Sequence, residues 1–278
     1  MILVTGATGS VGRHVVAGLL AEGHRVRAMT RDPERADIPE PAEVVPGDLG
    51  EPDQLGAALR GVRALYLMAM GGVADRLVDV AARGGVRRIV LLSTGDVLDD
   101  VERQPDAVAE VHAAFERAVA RSGLEWTFLR PNEFAGNSLQ WAAQVRSGDT
   151  VCAPYPQART APIHERDIAA VAVRALTESG HHGAKYLLTG PEVLTHADQL
   201  AAIGTVLGRR LRFDEIPAGR ARELMTRYAP AAIVDAVLDQ LAAAVGRAPV
   251  LTDAVHEVAG RPARTFEEWA CEHRPDFT

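Results

Sequence analysis

The first twelve residues constrain the fold of this chain more than any other segment. Met1–Val4 is an apolar run that predicts a buried strand, and residues 11–20 have the composition of a helix. Between them, Gly6, Gly9 and Gly12 follow a G-x-x-G-x-x-G spacing. A strand, a tight glycine turn and a helix N-terminus together present N–H groups and the positive end of a helix dipole to a phosphate. The segment therefore predicts a dinucleotide-binding βαβ unit.

The same glycines have a structural alternative. They can turn the chain and bring a helix close to a strand without binding any ligand. We favour the nucleotide-binding interpretation because the turn follows a strand and opens a helix, which is the context that the motif requires. The residues assigned to the phosphate site are Gly6, Thr8, Gly9, Ser10, Val11 and Gly12.

Composition limits the class of protein. The 278 residues are 47% hydrophobic and 24% charged, which is typical of a globular protein with one large domain or a domain and a lobe. The formal net charge of −7 argues against a nucleic-acid partner. No apolar stretch reaches the roughly 20 residues that span a bilayer, so we expect no membrane partner. Because the first strand begins at Met1, leaving no room for a signal peptide, we expect a cytoplasmic protein.

The chain has only two cysteines and one lysine. The two cysteines, Cys152 and Cys271, have no metal-type spacing, so we expect neither a metal site nor a disulfide framework. Lys185 is the only lysine in the chain. This rarity restricts the catalytic groups that the first half of the chain can supply.

Short apolar runs alternate with amphipathic stretches through residues 1–131, as expected for a parallel sheet covered by helices. The predicted strands are Met1–Thr5, Arg25–Thr30, Glu43–Val45, Ala64–Ala69, Arg88–Ser93 and Glu125–Leu129. The predicted helices are Val11–Glu22, Pro52–Arg60, Val73–Arg83 and Ala107–Arg121. This order predicts an α/β fold, with residues 1–131 forming a Rossmann-type doubly wound parallel sheet as the dinucleotide-binding core.

The pattern changes after Pro131. Residues 148–164 have the glycine, proline and polar composition of a loop, and most of the chain from residue 218 onward is typical of helix. We predict that residues 132–278 form a smaller, mixed but mainly helical substrate lobe, with one or more segments returning to the core sheet. The lobe is expected to close over the carboxyl edge of the sheet, where doubly wound folds bind ligands.

Several stretches of the sequence carry a family resemblance. They are Thr5–Gly12, Pro46–Leu49, Leu92–Thr94, Ser122–Thr127, Leu129–Asn132, Ile163–Ala169, Leu188–Pro191 and Arg264–Trp269. Together they resemble the NmrA-like NAD(P)-binding family of the atypical or extended short-chain dehydrogenase/reductases, over essentially the whole chain. The resemblance implies an NAD(P)-binding fold. It implies no single activity, because the branch contains quinone and flavonoid-type reductases, redox-sensing regulators and proteins once labelled sugar epimerases.

The end of the second predicted strand bears on which dinucleotide binds. Enzymes that use NAD usually place an acidic side chain there for the ribose 2′-OH, whereas this chain has Thr30 followed by Arg31. An arginine can pair with a 2′-phosphate through two hydrogen bonds, and Arg13 is a second candidate. We therefore favour NADP(H) over NAD(H). The neighbouring Asp32 works against this preference, and the alternative is that Arg31 is a solvated loop charge.

The resemblance also implies contacts at the ends of the later strands. Asp48 resembles the residue that meets the adenine, although capping of a turn is its alternative role. The other residues assigned to the cofactor are Leu49, Met68, Ala69, Met70, Ser93 and Pro131. The residues assigned to the substrate pocket are Asn132, Phe134 and Asn137, which follow the last core strand.

The usual catalytic pair of short-chain reductases cannot form in this chain. Those enzymes use Tyr-x-x-x-Lys on a helix, but no lysine precedes Lys185. The corresponding helix has His112 and Glu116 on one face. Histidine can deliver a proton near neutral pH, and the alternative is that His112 caps or packs near the cofactor ribose. Tyr155 and Ser93 are further catalytic candidates, as a proton donor and as a hydrogen-bond donor to a substrate carbonyl.

These observations predict an NADP(H)-dependent oxidoreductase, a monomer or homodimer, that transfers hydride to a small conjugated carbonyl or quinone-like substrate. Such an activated acceptor needs little from the protein because the cofactor supplies the chemistry. One alternative is a non-enzymatic redox sensor that binds NAD(P). Another is a sugar-nucleotide epimerase, which the absence of Tyr-x-x-x-Lys disfavours.

Overall fold

The chain folds around a seven-stranded parallel sheet. The structure is a computed structural model and describes residues 1–70 and 72–278. In the described residues the strands are β1 (Ile2–Val4), β2 (Val26–Thr30), β3 (Glu43–Pro46), β4 (Ala64–Met68), β5 (Arg88–Leu92), β6 (Glu125–Pro131), β7 (Thr150–Ala153), β8 (Arg159–Thr160), β9 (Ala184–Leu188), β10 (Leu194–Thr195) and β11 (Arg212–Glu215). The central sheet has the order β3-β2-β1-β4-β5-β6-β9. This is the doubly wound Rossmann order, so the predicted fold class is confirmed.

Helices cover both faces of this sheet. In the same part of the chain they are α1 (Gly12–Ala21), α2 (Ala74–Arg83), α3 (Ala107–Arg121), α4 (Ala142–Ser147), α5 (Glu165–Thr177), α6 (His196–Leu207), α7 (Ala218–Met225), α8 (Ala231–Ala244), α9 (Ala254–Ala259) and α10 (Phe266–Glu272). Helices α1, α5 and α9 pack on one face, and α2 and α3 pack on the other. The side chains of β4 alternate between the two faces of the sheet. Tyr66 packs on the side of α1, α5 and α9, whereas Leu65 and Leu67 pack on the side of α2 and α3.

The second half of the chain contributes to both the sheet and a lobe. Strand β9 pairs with β6 at the edge of the central sheet, and α5 packs against α1. The lobe has its own core between α4, α6 and α10, built on Trp141, Phe266, Trp269 and Phe277. A smaller apolar cluster joins α7 to α8. The division of the chain at residue 131 stays a prediction.

Two local predictions were wrong. Residues 52–60 were predicted as a helix, but the structure has a 3-10 helix at Pro52–Gly56 followed by a turn. Residues 148–164 were predicted as a loop, but they contain β7, which pairs with β11, and β8, which pairs with β10. These short strands are stabilised by partners far along the chain, which local composition does not reveal. No helix in the described ranges is both long enough and apolar enough to cross a bilayer.

The glycine turn joins β1 to α1 in a conformation that side chains would prevent. Gly6 has a φ of +59°, and its carbonyl oxygen accepts a hydrogen bond from the Gly9 amide at 2.9 Å. A Cβ atom on Gly12 would lie 2.1 Å from that same oxygen. The Thr5 hydroxyl anchors the turn to β4, because it donates to the Tyr66 carbonyl and accepts from the Met68 amide. The turn therefore lies between β1 and β4, where the strand order reverses.

Replacing Gly12 with alanine should destabilise the protein. Alanine normally stabilises a helix relative to glycine by about 0.5–1 kcal/mol, but here the methyl group would overlap the Gly6 carbonyl. We expect Gly12→Ala to lower the free energy of unfolding by about 1–3 kcal/mol, measured by urea denaturation. Gly219→Ala in α7 is the control, since a Cβ there meets nothing within 4 Å, and it should be neutral or stabilising. Equal effects of the two substitutions would contradict this account of the turn.

Candidate active site

The start of α1 offers unpaired backbone donors. The amides of Ser10, Val11 and Gly12 donate to no acceptor in the described parts of the chain. Val11 at the N-cap makes no side-chain hydrogen bond, and the first turn has no acidic residue. Thr8, Ser10 and Gly9 are exposed to solvent. This geometry is suited to binding an anion through backbone N–H groups and the helix dipole.

Two arginines lie near the end of β2 and the start of α1. Arg31 follows β2 directly, is exposed, and has no hydrogen bond or ion pair with any described residue. The Asp32 carboxylate faces Arg35, with 4.0 Å between Oδ2 and Nε, and not Arg31. Arg13 donates from Nε to the Gly9 carbonyl at 3.2 Å. The guanidinium of Arg31 is therefore available to an anionic ligand.

In the loop after β3, the side chains assigned to the cofactor make contacts within the protein. The Asp48 side chain is exposed, and its Oδ1 accepts a hydrogen bond from the Gly50 amide at 2.8 Å. This is the turn-capping role that the sequence allowed as an alternative. The Leu49 side chain is buried in the core against α2, so only its backbone can face a cofactor. Contacts of both residues with the adenine stay predictions.

The ends of β4 and β6 supply the remaining predicted contacts. Met68 faces the glycine turn, because its Sδ would lie 2.5 Å from a Cβ on Gly6. Ala69 is partly buried and Met70 is exposed. These positions border the crevice where a doubly wound sheet binds the nicotinamide half of a dinucleotide.

Residues that follow β6 are divided between the crevice and the surface. Pro131 is buried, and Asn132 lies against the loop after β5, because its Oδ1 would be 2.3 Å from a Cβ on Gly95. Phe134 pairs with Ile163 in an isolated bridge. Asn137 is exposed. The structure thus brings Asn132 close to the end of β5. The substrate roles of Asn132, Phe134 and Asn137 stay predictions.

Ser93 belongs to a buried polar network. Its side chain is almost inaccessible, with the residue 3% exposed, and its hydroxyl donates to Glu116 Oε1 at 2.5 Å. Glu116 lies on α3, four residues after His112. A catalytic role of Ser93 stays a prediction, and a substrate carbonyl would have to compete with Glu116 for its hydroxyl.

Arg130 on β6 is the centre of this network. Its guanidinium donates two hydrogen bonds to Glu116, at 2.9 and 2.6 Å, and two to Asp99, at 3.1 and 2.8 Å. The side chains of Arg130 and Glu116 are only 10% and 7% exposed. Lys185 on β9 donates to Asp99 at 2.5 Å. Two cations and two carboxylates therefore join β5, β6, β9 and α3, and hold the loop that follows β5.

His112 lies on the same helix, one turn before Glu116. Its Nδ1 is 2.8 Å from the Val108 carbonyl oxygen, which requires the proton to be on Nδ1. The Nε2 atom is therefore the one that is free to exchange a proton with a ligand. The side chain is partly exposed. This arrangement is compatible with the predicted role of His112 in proton transfer.

Tyr155 lies in the connection between β7 and β8 with an unusual backbone. Its φ is +53°, a left-handed conformation that is rare for a bulky residue and costs on the order of 1–3 kcal/mol. It packs against the apolar cluster of α7 and α8, formed by Ala221, Val234 and Leu238. The structure places Tyr155 in the lobe, beside the α7–α8 hairpin. Its catalytic role stays a prediction.

The acidic residues of the loop after β5 were not predicted as site residues from the sequence. Asp99 anchors that loop to Arg130, and Asp96 follows Gly95, whose amide donates to the Pro131 carbonyl at the end of β6. One signal was present in the sequence: Arg130 interrupts the apolar strand Phe128-Leu129-Arg130-Pro131, and a charge in a buried strand requires a partner.

The chain is similar to known proteins that bind or use NAD(P)H. A family model described as NAD(P)H-binding matches residues 6–179. The chain is 42% identical to (4-alkanoyl-5-oxo-2,5-dihydrofuran-3-yl)methyl phosphate reductase of Streptomyces griseus subsp. griseus, over 100% of this chain and 99% of that protein. It is 35% identical to the NAD(P)H azoreductase of Xenophilus azovorans, again over 100% and 99%. The structure of the NADPH-dependent quinone oxidoreductase QOR2 of Escherichia coli complexed with NADPH matches at 25% identity with a TM-score of 0.81, covering 98% of this chain and 99% of that one.

Removing the charge of Arg130 should be costly because it leaves Glu116 buried without its partner. Breaking a buried ion pair from one side typically costs about 3–5 kcal/mol, and we expect Arg130→Met to lose this much in urea denaturation. The double variant Arg130→Met, Glu116→Gln should recover a substantial part of the loss, because glutamine is uncharged and still accepts from Ser93. A double variant no more stable than Arg130→Met would contradict a role for the buried charge.

The stabilising effect of Asp99 should depend on pH. Hydrogen bonds from Arg130 and Lys185 lower the pKa of Asp99 to about 2, below the value of about 3.9 in an unfolded chain. The contribution of the carboxylate is therefore complete above about pH 4 and is lost as the pH falls toward 2. We expect the stability difference between wild type and Asp99→Asn to narrow over this interval. A difference that is constant from pH 6 to pH 2 would contradict the assignment.

Proposed function

Because the chain belongs to the NAD(P)H-binding family, we propose that it is an NADPH-dependent reductase that transfers hydride to quinone-like or other conjugated acceptors. Relatives that align over its whole length are a furanone phosphate reductase and an azoreductase, which favours an enzyme over a redox sensor. The epimerase alternative lacks support in the residues, since no lysine accompanies His112 on α3.

The observation that carries the cofactor assignment is the pair of anion-binding features at the carboxyl edge of the sheet. The amides of Ser10, Val11 and Gly12 would hold the pyrophosphate of the dinucleotide. Arg31 would pair with the 2′-phosphate, since no carboxylate of the described chain occupies its guanidinium. The preference for NADP(H) over NAD(H) follows from that pairing.

NADPH supplies hydride when it is bound, and the protein must supply position and a proton. Reduction of a quinone consumes one NADPH and one proton and yields one hydroquinone and NADP⁺. His112 is one candidate for the proton transfer, through its Nε2 atom. Exposed apolar side chains at the same edge of the sheet, Met70, Leu98 and Val101, are suited to a flat acceptor with little charge.

We propose a monomer or homodimer that acts in the cytoplasm on a small molecule and binds no nucleic acid. The net charge of −7 supports the last point, because nucleic-acid-binding surfaces are basic.

Oxidation of NADPH, followed by absorbance, tests the enzyme assignment against a panel of quinones, enones and azo dyes. We expect at least one class to accelerate oxidation. His112→Ala should lower kcat by about 10²–10⁴-fold if His112 transfers a proton in the transition state, while Tyr155→Phe tests the second candidate. If the protein binds NADPH but reduces none of these acceptors, the proposed function is contradicted.

Replacement of Arg31 tests the cofactor preference. A charge-assisted hydrogen bond to phosphate contributes about 1.5–3 kcal/mol, so Arg31→Ala should weaken NADPH binding by roughly 10–100-fold and leave NADH binding nearly unchanged. Arg87→Ala is the charge-matched control, because Arg87 is exposed and lies at the opposite edge of the sheet, just before β5. Equal losses for the two dinucleotides, measured by titration, would refute the role of Arg31.

A further inference from the structure

The loop after β5 holds an acidic side chain at the edge where the substrate is predicted to bind. Asp96 follows Gly95, whose amide donates to the Pro131 carbonyl at 2.8 Å. On its other side Gly95 lies against the Asn132 side chain. Gly95 is thereby held at the carboxyl ends of β5 and β6, beside a residue assigned to the substrate pocket, and Asp96 is the next residue along the chain.

Several polar groups surround this carboxyl. The Thr94 hydroxyl donates to Asp96 Oδ2 at 2.9 Å and accepts from the Asp96 amide at 3.3 Å. Asp106, His112 and Gln240 also face it, from the start of α3, from its second turn and from α8. Two helices, α3 and α8, therefore converge on this side chain of the loop after β5.

Asp106 is held in place as a hydrogen-bond acceptor at the start of α3. Its Oδ1 accepts from the amides of Val108 and Ala109, both at 2.8 Å, which caps α3. Its Oδ2 accepts from Gln240 Nε2 at 3.1 Å. These three hydrogen bonds hold the Asp106 carboxylate in place beside Asp96, where its charge acts on Asp96.

Asp96 has the opposite environment to Asp99, only three residues away. Burial raises the pKa of Asp96, and the charge of Asp106 raises it further, whereas the hydrogen bonds from Thr94 and Gln240 and the nearby His112 lower it by less. No cation of the described residues forms an ion pair with Asp96. Asp99 is paired with Arg130 and Lys185, and its pKa is lowered to about 2. Neighbouring carboxyls with environments that separate their pKa values are typical of an acid with an assigned role.

We propose that Asp96 is the general acid of the reductase, donating its proton to the acceptor oxygen that gains negative charge when hydride is transferred. The O–H bond of the Asp96 carboxyl breaks, an O–H bond forms on the reduced substrate, and the hydride and proton together complete the two-electron reduction. The Asp96 carboxylate then takes up a proton from solvent, with His112 Nε2 as the relay. This inference rests on the proposed function and adds the group that supplies the proton.

The proposal fixes the direction of several pH effects. A general acid must be protonated to act, so kcat/KM should fall as the pH rises through the pKa of Asp96. Asp106→Asn removes a negative charge but keeps a good helix cap, and it should move this descending limb to lower pH. Thr94→Val removes a hydrogen bond to the carboxylate, and it should move the limb to higher pH. A merely structural role of Asp96 would produce neither shift.

The test is the pH profile of NADPH oxidation by the full-length protein with a 1,4-naphthoquinone as acceptor. Asp96→Asn should lower kcat by about 10²–10⁴-fold and abolish the limb while NADPH binding, measured by fluorescence, is retained. Asp100→Asn is the matched control, because Asp100 is an exposed neighbour in the same loop with a φ of +59° that asparagine also adopts. It should change kcat by less than about twofold, well below the effect expected of a general acid.

Three results would overturn the proposal. The first is an Asp96→Asn variant that keeps its activity or its limb, and the second is a limb that disappears in His112→Gln but survives in Asp96→Asn. The third is an unchanged limb in both Asp106→Asn and Thr94→Val, which decides the matter even if Asp96→Asn does not fold. A wild type that reduces no acceptor contradicts the proposed function itself, whereas an active Asp96→Asn contradicts this inference alone.

Discussion

The contact of Gly12 with the Gly6 carbonyl is the constraint on which the rest of the structure depends. It brings the first turn of α1 against the end of β1, at the point where the strand order of the sheet reverses. No other residue type allows this approach, because any Cβ at Gly12 would overlap backbone. The unpaired amides and the helix dipole that result are suited to binding a phosphate before any side chain contributes.

A second constraint acts at the other half of the crevice. Arg130 lies between two carboxylates and ties the loop after β5 to β6, β9 and α3. In this network α3 contributes the carboxylate of Glu116 and β6 contributes the cation of Arg130. Glu116 and Ser93 are hydrogen-bonded to each other within this buried network. His112 and the loop carboxyl Asp96 are the titratable groups that we propose to face the substrate.

The core was predictable because its signals are local. The apolar runs of the first six core strands and the glycine spacing identify a Rossmann fold, and the strand order confirms it. Short strands such as β7 were missed because their partners lie about sixty residues away. The residues of the site were harder to predict from the sequence for the same reason. Arg130 and Asp99 are distant in sequence, and whether Asp96 is paired or isolated depends on α8, so burial and charge could be read only from the structure.

The central claim is that this chain uses its glycine turn to hold a hydride donor and not to sense one. Transfer of deuterium from NADPH that carries deuterium at both C4 positions to a conjugated enone tests it most directly, because the new C–D bond does not exchange with water. Mass spectrometry should find one deuterium on carbon in the reduced product. If NADPH binds but keeps its deuterium with every acceptor tried, the account is contradicted.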